Sequence, residues 1–144
     1  MKKINKLNTG FTLVETLVAV SIFSISILGM MSVLGSSIAN TNYAKRKIIA
    51  TYLAQEGIEY IRNMRDTAVL YNGGGNWNSF RNTPDASISY PVSSDFSGFN
   101  RKVWLDKTNL DQDEVKIFSK VEWKQGSGDY SITFSENLFN WYEI

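Results

Sequence analysis

The feature that most limits what this chain can become is an apolar run from Phe11 to Gly35 whose single formal charge is Glu15. As a helix at about 1.5 Å per residue it measures roughly 37 Å, enough to cross a ~30 Å hydrocarbon core with some tilt. It reads as a transmembrane helix. Ala19, Ser21, Ser24, Ser26, Gly29, Ser32 and Gly35 lie along it, and small and hydroxyl residues of this kind let neighbouring helices approach closely. Ahead of it stands a short basic head, Lys2, Lys3 and Lys6, joined through Gly10-Phe11. An ordinary secretory signal has its small-residue cleavage site after the apolar region. A cut at Gly10 would leave the apolar segment on the mature chain.

Glu15 is out of place in such a run. A carboxylate in a spanning helix costs about 2.5 to 3.5 kcal/mol on insertion scales, so it usually has a partner. One reading puts it at the membrane interface, where an acid in the first turns suits the helix dipole. The other takes Gly10, Phe11 and Glu15 together, as a possible new amino terminus with an acid one helical turn away.

Gly10-Phe11-Thr12-Leu13-Val14-Glu15, behind a Lys-rich leader and ahead of an apolar helix, resembles the amino-terminal signature of type IV prepilins and of the pseudopilins of type II secretion. The resemblance covers roughly Lys2 to Leu34. It implies that a membrane-embedded prepilin peptidase cuts between Gly10 and Phe11 and N-methylates Phe11. It also implies that Glu15 neutralises the terminal amine of a neighbouring subunit during assembly. The leader must meet its peptidase on the cytoplasmic side. That gives a single-pass protein of the inner (cytoplasmic) membrane with its C-terminal domain outside the cytoplasm. The implied partners are the peptidase and other pilin or pseudopilin subunits.

The chain has 144 residues, so one small domain remains beyond the leader and helix. With the three leader lysines set aside, the 15 basic residues become 12 against 14 acidic ones. A near-neutral balance makes no general electrostatic case for nucleic acid, and DNA stays an open partner. There is no cysteine and no histidine. Disulfides, thiolate metal sites and cysteine nucleophiles are ruled out, and the commonest general base is missing. Many pilins close a C-terminal loop with a disulfide, and this chain departs from that pattern. No spacing of carboxylates, serines or lysines singles out a catalytic group. The expectation is no enzyme, no cofactor and no small-molecule substrate.

Beyond Gly35 the polar stretch Ser36, Ser37, Asn40, Thr41, Asn42 has modest helix propensity, and the helix is expected to fray or bend there. A helical period then resumes. Ala50, Leu53, Ala54, Ile58, Ile61 and Met64 share one stripe, while Glu56, Glu59, Arg62 and Asn63 face away. Glu59 with Arg62, and Arg62 with Asp66, are spaced to support the helix. Lys45-Arg46-Lys47 reads as a solvated helix face, and against the leader lysines it leaves orientation undecided by charge counting alone.

From Asp66 to Gly98 the sequence is loop-like. Asn72-Gly73-Gly74-Gly75-Asn76 lacks the Gly-Lys-Ser/Thr of a phosphate loop. Trp77, Phe80 and Tyr90 are expected to pin the loop to the domain. Val103 and Leu105, then Val115, Ile117, Val121 and Trp123, then Tyr130, Ile132 and Phe134 alternate with polar residues at the strand period. The turn between the last two strands is placed at Gln125-Gly126-Ser127-Gly128-Asp129, and a fourth strand near Ile88 to Val92. The acidic turn Asp111, Asp113, Glu114 lacks the glycine and terminal acid of an EF-hand loop; a solvated turn is the reading, with no metal site.

The expected fold is α+β and pilin-like: a long N-terminal helix, part transmembrane and part amphipathic, packed on a small antiparallel sheet. The expected divisions are a leader at 1–10, an assembly helix at 11–35, its amphipathic continuation at 36–66, and a loop plus sheet head at 67–144. Two function classes fit. One is a pilin-like structural subunit, minor because the head is irregular and unstapled, of a type IV pilus or type II secretion pseudopilus. The other is a membrane-tethered adhesion or DNA-binding module that does not polymerise.

Overall fold

A computed structural model describes residues 10–71, 76–83, 92–108 and 111–141. Helix α1 runs over Leu13–Tyr71, followed by the short helix α2 (Trp77–Arg81), a 3-10 turn at Ser94–Phe96, and strands β1 (Phe99–Asp106), β2 (Glu114–Gln125) and β3 (Gly128–Phe139). The chain divides into two units, Met1–Asn42 and Tyr43–Ile144.

In the first unit α1 carries no charge over residues 16–35. None of its most apolar 18-residue window is buried, and the helix is long and apolar enough to cross a membrane. The hydroxyls in this run are satisfied inside the helix. Ser21 donates to the Leu17 carbonyl, Ser24 to Val20 and Ser26 to Ile22, each at 2.8 Å. In hydrocarbon, where water supplies no partner, this removes the cost of the polar groups. The fraying expected over 36–42 does not occur. Ser36 donates to the Val33 carbonyl and Thr41 to the Ser37 carbonyl, and the helix runs through.

In the second unit the amphipathic part of α1 lies on an antiparallel meander of order β1-β2-β3. The register is unbroken, from Phe99↔Trp123 to Asp106↔Lys116 and from Glu114↔Phe139 to Gln125↔Gly128. Alternation sends Val103, Leu105, Val115, Ile117, Val121, Trp123 and Leu138 to the inner face, where Ala50, Leu53, Ala54, Ile58 and Ile61 of α1 meet them. This is the expected α+β, pilin-like fold, with the expected stripe on the core side. Met64 lies at its margin, half-buried.

Helix α1 continues to Tyr71 instead of giving way to loop at Asp66, because Val69 is buried and Ala68 packs on the core. The turn between β2 and β3 is tighter than the sequence suggests: Gln125 and Gly128 already pair, leaving Gly126-Ser127 as a two-residue turn. Gly126 has φ +58°, the left-handed value that primed hairpin turns require. Trp77 and Phe80 are buried in the core as expected, while Tyr90 and most of the fourth strand expected at Ile88 to Val92 lie outside the described residues, as does Asn72 to Gly75.

Three charged side chains assigned to the solvent side take part in the helix–sheet contact. Glu56 accepts from the Arg101 guanidinium at 2.7 Å, and the same guanidinium donates to the Leu53 carbonyl at 2.8 Å with its side chain 1% exposed. Arg62 binds Glu136 of β3 as well as Glu59 at 2.6 Å. Its hydrogen bond with Glu136 raises the guanidinium above its usual value. Asp66 pairs with Arg65 at 2.8 Å, not with Arg62. Within the basic cluster, Lys45 and Lys47 are exposed, but Arg46 donates to the Lys124 carbonyl at 3.0 Å and lies over the Phe99 ring.

Candidate functional site at the helix start

Gly10, Phe11, Thr12 and Glu15 are gathered at the first turn of α1. Thr12 is the residue before the helix, and Glu15 is its third helical position. The Glu15 amide donates to Thr12 Oγ1 at 3.2 Å, and the Thr12 amide donates back to Glu15 Oε2 at 3.3 Å. This is a capping box, in which each side chain satisfies an amide that the helix leaves without a partner. The Thr-x-x-Glu spacing that marks such a box is legible in the sequence. Glu15 therefore has a structural role in the isolated chain, close to the interface reading. Among the described residues no basic side chain pairs with it.

Gly10 and Phe11 have no comparable internal role. A side chain at Gly10 would meet nothing within 4 Å, and its φ lies outside the left-handed region, so the fold makes no demand for glycine there. Phe11 is 84% exposed, and among the described residues it packs on nothing that would explain an aromatic residue. The junction is thus accessible, and its residue types are not dictated by the chain's own packing.

The acidic turn has a structural place of its own. Asn140 donates to Asp113 Oδ1 at 3.0 Å and Asn137 to Glu114 Oε1 at 2.7 Å, so both carboxylates clasp the end of β3. Trp77 Nε1 donates to the Gln112 carbonyl at 2.7 Å, and Arg81 to the Asp111 carbonyl at 3.2 Å. Among the described residues no group of three or more acidic side chains is placed to hold a metal ion.

No curated protein and no solved structure matched the chain. Residues 5–31 match the family model described as the prokaryotic N-terminal methylation motif. That span holds Gly10, Phe11 and Glu15 together with the first turns of the apolar helix, and it points to a membrane-anchored structural subunit handled by a prepilin peptidase and assembled with other pilin subunits. The chain carries the type IV prepilin and pseudopilin signature.

Proposed function

We propose that this chain is a minor structural subunit of a type IV pilus or type II secretion pseudopilus. Prepilin peptidase removes residues 1–10 and methylates the Phe11 amine. Residues 11–35 hold the subunit in the cytoplasmic membrane, with the sheet unit outside the cytoplasm, until it is packed into a filament. The supporting observation is the junction itself: a glycine that the fold does not require, an exposed Phe11, and an acid four residues on, all inside the methylation motif.

Cleavage turns the Phe11 peptide nitrogen into a cationic amine. In the filament interior, Glu15 of one subunit neutralises the Phe11 amine of its neighbour. Removing one member of a buried pair of this kind costs about 3 to 5 kcal/mol, because the other is left buried without compensation. The capping box separates this role from helix stability. Glu15→Gln keeps an oxygen for the Thr12 amide and removes the charge, whereas Glu15→Ala removes both.

Both variants are expected to insert in the membrane and to be cleaved. Both are expected to be missing from sheared filaments and to accumulate in the membrane fraction. Glu15→Gln at wild-type abundance in filaments, with Glu15→Ala depleted, would reduce Glu15 to a helix cap. A non-polymerising membrane tether requires wild type and both variants to distribute alike.

A further inference from the structure

We propose that the outer edge of β3 is a self-association surface, on which the β3 edge of a second copy of this chain pairs in antiparallel. The inference is independent of the Phe11 and Glu15 chemistry. The two-residue turn at Gly126-Ser127 makes Gln125 and Gly128 a pair that exchanges hydrogen bonds. Strict alternation from there aims the backbone groups of Tyr130, Ile132, Phe134, Glu136 and Leu138 at β2. Those of Ser131, Thr133, Ser135 and Asn137 point to the open edge.

No strand pairs with that edge among the described residues. Two grooves, of about 720 and 550 Å³, run between it and α1 and share Glu59, Arg62 and Glu136. An open edge of 12 residues without a bulge is a template for another strand, and proteins guard such edges with lysine, proline, bulges or inward-pointing charges. β1 carries one such guard, Lys102; its inward Arg101 is already held by Glu56 and the Leu53 carbonyl. β3 has no lysine and no proline, and its one inward charge, Glu136, is already bound by Arg62.

The edge is complementary to itself. A twofold centred on Phe134 sets Thr133 opposite the partner's Ser135 and Ser131 opposite the partner's Asn137, pairs that exchange side-chain as well as backbone hydrogen bonds. The acids Asp129 and Glu136 fall opposite the partner's Phe139 and Ile132, so no acid faces an acid. Ile132 and Phe134, only half-buried in one copy, gain cover. Neighbours along one polar filament are related by a rotation and a rise, which does not generate this twofold. The contact therefore joins copies that do not share a filament.

The test is the mass of the full chain in detergent micelles, measured by light scattering across protein concentration. Wild type is expected to shift from monomer to dimer. Thr133→Pro removes an edge amide and leaves the β2 ladder intact, so it is expected to weaken the dimer roughly tenfold to a hundredfold, since the twofold removes the donor twice. Its circular dichroism is expected to match wild type. Should the proline disturb the fold, the Thr133→Lys/Ser135→Lys variant blocks pairing by charge with the backbone unchanged. A wild type that stays monomeric, as when another segment of the chain covers the edge, overturns the proposal. So does a dimer that survives in the well-folded variant, as when the apolar helices alone associate.

Discussion

Gly57 is the residue on which the helix–sheet contact turns. A Cβ at that position would sit 2.3 Å from Ser119 Oγ and 2.9 Å from Val103 Cγ1, so helix and sheet meet at a distance only glycine allows. Gly57→Ala is expected to destabilise the protein by about 1 to 3 kcal/mol through overpacking, read from urea unfolding in detergent. Ser119→Ala removes the nearer obstacle together with a buried hydroxyl that has no hydrogen-bond partner among the described residues, and should reduce the cost of Gly57→Ala when the two are combined. Equal costs in both backgrounds would show that the contact is slack. The apolar stripe around Gly57 is legible by period alone, but its closest point is not. Glycine reads as a weak helix former, and nothing local announces that a serine on a strand will face it. Arg101 and Glu56 escaped for a related reason, since charge marks a residue as solvent-facing unless the partner across the interface is known. Acid sensitivity also belongs to single residues. Accepting the Thr108 amide at 2.8 Å, and then the Thr108 hydroxyl, holds the Asp106 carboxyl below its ordinary value, with Lys116 adding to the effect. A carboxyl lowered by folding stabilises above its unfolded value of about 3.9 and loses that contribution as pH falls through the lower folded value. The urea midpoint is expected to change little with pH around neutrality in both wild type and Asp106→Asn, and to fall less steeply in acid in that variant than in wild type.

The elements follow from local sequence where a single period dominates. The strand alternation of β2 predicts its buried Val115, Ile117, Val121 and Trp123, and passes over Ser119, buried between them. Helix α1 outruns its expected end because packing decides there: propensity weakens after Asp66, yet Val69 reaches the core and keeps the last turns formed. The polar stretch at 36–42 stays helical, with the Ser36 and Thr41 hydroxyls bonded back to carbonyls of the preceding turn. Helix α2 depends on one anchor. Trp77 is 5% exposed, sets its ring at a tilt against that of Phe80 with centroids 5.6 Å apart, and ties the turn before β2 through the Gln112 carbonyl. Trp77→Ala is expected to cost about 3 to 5 kcal/mol, and Trp77→Phe, which keeps an aromatic ring but leaves the carbonyl without its donor, about 1 to 3 kcal/mol. Thermal unfolding of both variants checks the ordering. A Trp77→Phe loss as large as that of Trp77→Ala would assign the anchor to the hydrogen bond instead of the buried ring.

At the scale of the whole molecule, a membrane-capable helix and an amphipathic helix share one continuous element, and the signature of processing sits at its first turn. The motif was legible because its spacing is short and its residue types have little other reason to be there; among the described residues a side chain at Gly10 meets nothing and Phe11 is left exposed. What the head unit binds was not legible, since near-neutral charge and the absence of cysteine and histidine remove possibilities without choosing one. Processing at Gly10 is the claim on which the rest depends: an uncut chain keeps its basic leader and has no amine at Phe11 for Glu15 to meet. The direct measurement is intact mass and terminal sequencing of the protein extracted from membranes of cells with an active prepilin peptidase, beside cells lacking it. The account predicts a chain beginning at N-methylated Phe11 in the first and at Met1 in the second. A chain beginning at Met1 in both would contradict it.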